Sequence, residues 1–309
     1  MRTRAGLALA LAAAVISGFA VYTNSYAVPA FASFGGATVY TTAKNLIAAI
    51  VLAAALAYAT RRAPREGFTR PRRPGQWAGL AAVAVIGGSV PFVLFFQGLA
   101  RVDSANAAFI QKTLVIWVAL LAVPLLGERL SLWHVAAIAG LVWGQALLGG
   151  GIGGIGLGAG EAMIFAATLL WAAETVVARK LLSGLSPLTV ATARMGGGVV
   201  ILIAYTLATT RWSTLEAIGW HQWSWAIATG LILAGYVGAW YAALARVGAI
   251  DVTALLVPAA IITALLQSGS KALAPQWPGL ALVAAGTALV LLAARKARKK
   301  TGPALAGVR

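Results

Sequence analysis

Four ionisable side chains sit inside apolar runs of this 309-residue chain: Lys44 in VYTTAKNLIAAIVLAAALAY, Lys112 in FIQKTLVIW, Glu174 in LLWAAETVVARKLL and Arg194 in ATARMGGGVV. A charge in the middle of a membrane costs about 2.5–3.5 kcal/mol or more, so it pairs or turns to a polar cavity rather than facing lipid. Three interior cations against one anion suit a carboxylate or phosphate on a bound solute. Each residue also has a plainer reading. Lys44 can snorkel to an interface along its four-carbon stem. Arg194 can brace helix ends, and Glu174 can form a salt bridge with Lys44, Lys112 or Arg194. The sharper reading of Glu174 is a carboxylate that takes up and releases a proton. Lys112, with Gln111 and Thr113 beside it, is read as lining a cavity. Tyr22, Tyr40, Trp117, Trp171, Tyr236 and Trp240 complete the expected solute-contacting set with Lys44, Lys112 and Arg194; Tyr241 is a further aromatic of the same kind.

Other chemistries find little support. The chain has no cysteine, which removes disulfides, thiolate metal sites and a cysteine nucleophile. Its two histidines, His134 and His221, are too far apart for a usual metal spacing. Neither Gly-x-Ser-x-Gly nor His-Glu-x-x-His occurs. No catalytic residue, metal or cofactor is therefore expected, and an enzyme is not the reading.

The elements that must position the four charges follow from composition. Hydrophobic residues make up 61% and charged residues 10%, against about 25% charged in a soluble domain. Such a chain needs a lipid bilayer as partner and reads as an all-α polytopic membrane protein. The net charge of +17 lies in clusters flanking apolar runs: Arg61, Arg62, Arg65, Arg70, Arg72 and Arg73 in one loop, and Arg295, Lys296, Arg298, Lys299 and Lys300 in the tail. Cytoplasmic anchors have that pattern, so nucleic acid is not an expected partner. The start, MRTRAGLALALAAAVISGFA, also resembles a secretory signal. Its apolar run continues to about Val28 and has a later counterpart, so it reads as a retained first helix.

Apolar runs of spanning length give ten segments, approximately 5–26, 36–58, 77–99, 105–126, 131–149, 161–180, 187–208, 223–244, 250–270 and 277–294. With both termini in the cytoplasm, eighteen of the twenty-four Lys and Arg residues fall inside and three outside, namely Arg101, Arg211 and Lys271. Trp77, Trp133, Trp223 and Trp277 fall at span ends, as an interfacial belt would. Pro91, Pro124 and Pro258 mark positions where helices can kink and free carbonyls.

The glycine-rich GGGIGGIGLGAG divides the chain into residues 1–150 and 151–309, each with five spans, the second ending in a basic tail from about 295. LARVDSANAAFIQKTLVIW aligns with LARVGAIDVTALLVPAAII, and TTAKNLIAAIVL with ATARMGGGVVIL. The second alignment sets Lys44 opposite Arg194, whereas Lys112 falls opposite Val257. Five is odd, so the second half enters the membrane in the opposite sense. Inverted repeats of this kind build secondary transporters, with the solute site near the midplane.

These features together resemble the drug/metabolite transporter superfamily, specifically EamA-type carriers, over essentially the whole chain. The matching pieces are ISGFAVYTNSYAV, TTAKNLIAAIVL, LARVDSANAAFI, PLLGERLSLWHVAAIAGLVWGQAL and LLWAAETVVARKLL. The LGERLSLWH segment is the most recognisable, its Gly127–Glu128 pair closing the fourth span. Two departures stand out: Ser25 where relatives often have lysine, and no second Gly-Glu pair in LLQSGSKALAPQW. The resemblance implies a multi-pass carrier of the bacterial inner membrane that moves small metabolites, often outward, amino acids and related organic anions or zwitterions among them. A channel or a regulatory membrane subunit is the alternative. Alternating access is expected, with spans five and ten at the periphery and the tenth span available to anchor the chain or to form a homodimer.

Overall fold

The structure, a computed structural model, describes residues 2–63, 67–102, 104–148, 158–268 and 277–300. Most of the glycine-rich linker, Arg65, Lys271 and the tail beyond Lys300 lie outside the described residues. Among the described residues every regular element is helical. The chain runs through α1 (Arg2–Ala27), α2 (Gly36–Arg62), α3 (Pro74–Ile86), α4 (Val90–Leu99), α5 (Ser104–Lys112), α6 (Leu114–Leu126) and α7 (Leu132–Leu148) in its first half. The second half holds α8 (Ala159–Leu181), α9 (Pro187–Thr209), α10 (Trp212–Glu216), α11 (Trp220–Leu244), α12 (Ala249–Ala254), α13 (Ala259–Ser268) and α14 (Trp277–Lys300). Helix is the form that satisfies backbone N–H and C=O groups within a single apolar segment.

Among the described residues, seven helical segments are long and apolar enough to cross a membrane. They are Thr3–Phe31, Gly36–Arg62, Pro74–Leu99, Phe109–Leu126, Ala159–Leu181, Pro187–Thr209 and Trp220–Leu244, with shorter apolar helices at Leu132–Gly144 and Trp277–Leu292. Only a third to a half of each spanning window is buried inside the protein. The remainder, including Phe19, Ile50, Leu120, Val200 and Leu231, is an apolar outer surface suited to lipid. Trp77, Trp133 and Trp277 are exposed near helix ends, as a belt requires. Trp223 differs, packing against the Tyr40–Phe92 cluster instead.

Among the described residues, three of the expected spans are broken. Gly87–Ser89 separates α3 from α4, Thr113 separates α5 from α6, and residues 255–258 separate α12 from α13. The last two breaks are equivalent in the two halves, because residue 113 aligns with Pro258 in the LARV register. The break in α3–α4 has no counterpart, since α11 is continuous.

The halves are joined in an exchange-symmetric way. α1 packs on α11 and α13, and α8 packs on α4 and α6; α2 packs on α11, and α9 on α3. α2 and α9 cross each other antiparallel. Thr42 Oγ1 donates to the Leu202 carbonyl at 3.4 Å, and Thr192 Oγ1 donates to the Leu52 carbonyl at 3.2 Å. These two bonds interchange when Thr42 is replaced by Thr192 and Leu202 by Leu52, the same register that pairs Lys44 with Arg194. The shared LARV is a packing device. Arg101 Nη1 donates to the Gln97 carbonyl and Arg246 Nη1 to the Ala242 carbonyl, each at 2.6 Å. Gly160 lies against Arg101 and Val102, and Gly6 lies against Arg246 and Val247. A helix approaches that closely only where the Cβ is missing. Lastly, α7 packs on α14, away from the centre.

Candidate functional site

Lys44, Lys112, Glu174 and Arg194 line one cavity of about 140 Å³. All four are buried. The wall is drawn from both halves: α1 (Ser17, Asn24), α2, α4, α5 and the start of α6, then α8, α9, α11, α12 and the turn after it. Among the described residues neither α7 nor α14 contributes.

Part of the aromatic wall comes from equivalent positions. FFQGLARV ends α4 and WYAALARV ends α11, placing Phe95 and Phe96 opposite Trp240 and Tyr241. Phe92, Phe95 and Trp171 meet edge-on or tilted at centroid separations of 5.5 Å. Tyr236 and Trp240 stack at 5.9 Å.

Lys44 projects from α2 onto ring faces. Its Nζ is 4.0 Å from the Phe96 centroid, 4.9 Å from that of Tyr40 and 5.7 Å from that of Phe92. Such faces stabilise a desolvated ammonium by about 2 kcal/mol. Among the described residues no carboxylate lies within ion-pair distance of it. Lys112 ends α5 at the break in the fourth segment. Among the described residues its polar contact is Gln111 Oε1 at 3.5 Å, and Thr113 turns away to donate to the Ile110 carbonyl.

Glu174 and Arg194 form the internal pair. Glu174 Oε1 is 3.9 Å from Arg194 Nε and also accepts a hydrogen bond from the Tyr241 hydroxyl. The Arg194 guanidinium additionally lies 5.4 Å from the Phe92 centroid and donates from Nη1 to Met195 Sδ at 3.4 Å. Among the described residues its Nε has no hydrogen-bond partner. The break after α3 makes room for this pair. A Cβ on Gly87 would meet Glu174 Cγ and Arg194 Nε, and the Gly87 carbonyl accepts from Trp171 Nε1 at 3.2 Å. Gly88 lies against the Arg194 carbonyl and Gly198, while Gly230 of α11 lies against the Lys44 carbonyl.

Of the expected contact residues, Lys44, Lys112, Arg194, Trp171, Tyr236 and Trp240 reach the cavity, as does Glu174. Tyr22, Tyr40 and Trp117 do not form part of its lining. Tyr22 packs edge-on with Tyr26, at 5.2 Å. Tyr40 is fully buried beneath Lys44, with its hydroxyl donating to Asn24 Oδ1. Trp117 donates from Nε1 to Thr113 Oγ1 at 3.1 Å and packs on Phe165. The sequence reading missed Phe92, Phe95 and Phe96, whose only signal is their place beside LARV, and Tyr241 as the partner of Glu174.

A second set of contacts links the halves at one end. Glu128 accepts from the Ala249 amide at 2.6 Å and the Ile250 amide at 3.1 Å, capping α12. His134 Nε2 is 3.1 Å from Asp251 Oδ1, and Ser131 Oγ is 2.8 Å from His134 Nδ1. This Ser–His–Asp run does not line the central cavity, and Ser131 caps the start of α7. The described residues hold no cluster of His, Cys, Asp or Glu able to ligate a metal.

The EamA-like transporter family matches the chain over residues 4–150 and again over residues 158–292. No curated protein matches it. A solved structure, described only as "Crystal structure of protein", is similar with a TM-score of 0.72 and 17% identity, covering 93% of this chain and 98% of the other. That likeness extends to the fold.

Proposed function

We propose that this chain, which belongs to the EamA-like transporter family, is a secondary carrier that moves a small organic anion or zwitterion by alternating access. It is a multi-pass membrane protein. In this reading the ten apolar segments all cross the bilayer, both ends face the cytoplasm, and the membrane is the bacterial inner membrane. The positive-inside count supports that orientation, and the antiparallel crossing of α2 and α9 supports the inverted relation of the two halves. Export, of amino acids or related metabolites, is the direction proposed.

One observation carries the reading: four side chains that are costly in a membrane converge on one central cavity built from both halves. Lys44 and Lys112 would receive the anionic group of the solute. The rings of Phe92, Trp171, Tyr236 and Trp240 would enclose its apolar part. A cavity of about 140 Å³ is smaller than the roughly 300–1,000 Å³ of drug-sized sites, which favours small metabolites over bulky drugs. Glu174 is the proposed proton-coupling group, since a proton on it would weaken the hold on Arg194 and Tyr241.

Purified protein in liposomes tests this directly. Saturable, counterflow-competent movement of at least one solute from a metabolite screen is expected. Flux that follows a gradient without saturating would make the protein a channel and overturn the reading.

A further inference from the structure

We infer that the cavity selects solutes bearing two negative charges, with Lys44 and Lys112 as separate anchors and Arg194 held back from the solute by Glu174. This deepens the carrier reading and rests on it.

Charge distribution leads to that assignment. Arg194 and Glu174 face each other at 3.9 Å and offset one another, and Tyr241 holds the same carboxylate oxygen. Lys44 and Lys112 are only 3% and 7% exposed, yet neither meets a carboxylate among the described residues. Lys44 has ring faces, and Lys112, among the described residues, has a long contact to Gln111. Neither kind of contact removes a positive charge. Two unpaired buried ammonium groups are an arrangement that a bound anion relieves.

Position supports two anchors rather than one. Lys44 lies eight residues into α2 and Lys112 eight residues into α5, so each is about 12 Å along its helix from the same side. They stand on different helices of the first half. The second half offers no equivalent free cation: the counterpart of Lys44 is the committed Arg194, and that of Lys112 is Val257. Besides the Glu174–Arg194 pair and the polar Thr175, Thr253 and Tyr236, the second half's wall carries an aliphatic patch of Leu233, Leu256 and Val257. A short carbon chain ending in two carboxylates fits such a surface, its ends on the lysines and its methylenes on the aliphatic wall. The small volume limits the chain to a few carbons.

The test uses full-length protein in liposomes, with succinate and glutarate as dianionic probes and butyrate and valerate as monoanionic ones. Wild-type protein is expected to prefer the dicarboxylates by at least about thirtyfold, the loss that follows when one partner of a buried charge pair is missing. Lys44→Met and Lys112→Met should each reduce that preference to within about threefold, while Lys→Arg at either position retains it. Lys44→Gln and Lys112→Gln replace the Met variants if either fails to fold. Equal handling of the two classes by wild type, or a preference that survives both substitutions, overturns the inference. Saturable counterflow of some other solute with neither class transported overturns it too, but leaves the carrier reading standing. Absence of saturable counterflow for every solute overturns both.

Discussion

Lys44 has ring faces where a buried ammonium would be expected to have an anion. Removing it orphans no partner, so Lys44→Met should leave the melting temperature in detergent unchanged or raised. Transport by the same variant should fall more than about tenfold, because a charged contact to solute is lost. A drop in melting temperature with transport intact would make Lys44 a brace instead. Glu174 gives the opposite expectation. Glu174→Gln retains an acceptor for Tyr241 but cannot exchange a proton, so exchange should persist while the response to a proton gradient disappears. Glu174→Leu should destabilise the fold by about 3 kcal/mol, leaving Arg194 as a buried charge with no carboxylate. Thermal melts and pH-jump uptake in liposomes read these outcomes. All four charges were legible in the sequence, because a charge in an apolar run stands out against its neighbours. The partner of Glu174 was not: three cations were equally available, and only the fold brings Arg194 alongside. Phe92, Phe95 and Phe96 were hidden for the reverse reason, since a phenylalanine in a span is equally at home facing lipid.

At the scale of elements the site depends on close helix approach. Gly88 lies against the Arg194 carbonyl and the backbone of Gly198, whereas a Cβ on Gly196 would meet nothing within 4 Å. Gly88→Ala should therefore cost about 1–3 kcal/mol through overpacking, and should disturb transport along with it. Gly196→Ala, two residues from Arg194 in the same helix, should be neutral or stabilise by up to about 1 kcal/mol. Melting curves of the two variants separate a packing requirement from a general dislike of substitution near the cavity. Breaks were less legible than helices. The segments 105–126 and 250–270 read as continuous apolar runs, and hydropathy does not register a single unwound turn. Pro258 gave a hint for one break. Thr113, its counterpart, gave none, because a threonine is ordinary within a helix. Gly87 and Gly88 belong to a third break whose purpose becomes visible only with Glu174 and Arg194 beside it.

For the whole molecule, the two halves exchange contacts in a common register, as the Thr42–Leu202 and Thr192–Leu52 bonds illustrate. That relation was legible from LARV and from the five-span count, since an odd number of spans dictates inversion. The asymmetry was legible only in part. Glu128 binds the start of α12, together with the His134–Asp251 contact, at the end proposed to be cytoplasmic. Removing that cap with Glu128→Ala should cost this closure about 1–2 kcal/mol and raise the share of carriers open to the cytoplasm. The absence of cysteine makes access to the cavity measurable, because an introduced cysteine is unique. Ser17 lines the cavity, and Ser17→Cys changes little else. The central claim is that one cavity serves both sides of the membrane in turn. The most direct test is the reaction of Ser17→Cys with a membrane-impermeant maleimide in right-side-out and inverted vesicles. The account predicts labelling from both faces, faster from the cytoplasmic face when Glu128→Ala is added, with no passage of reagent through the protein. Labelling from one face alone under every condition, or free permeation of the reagent, would contradict it.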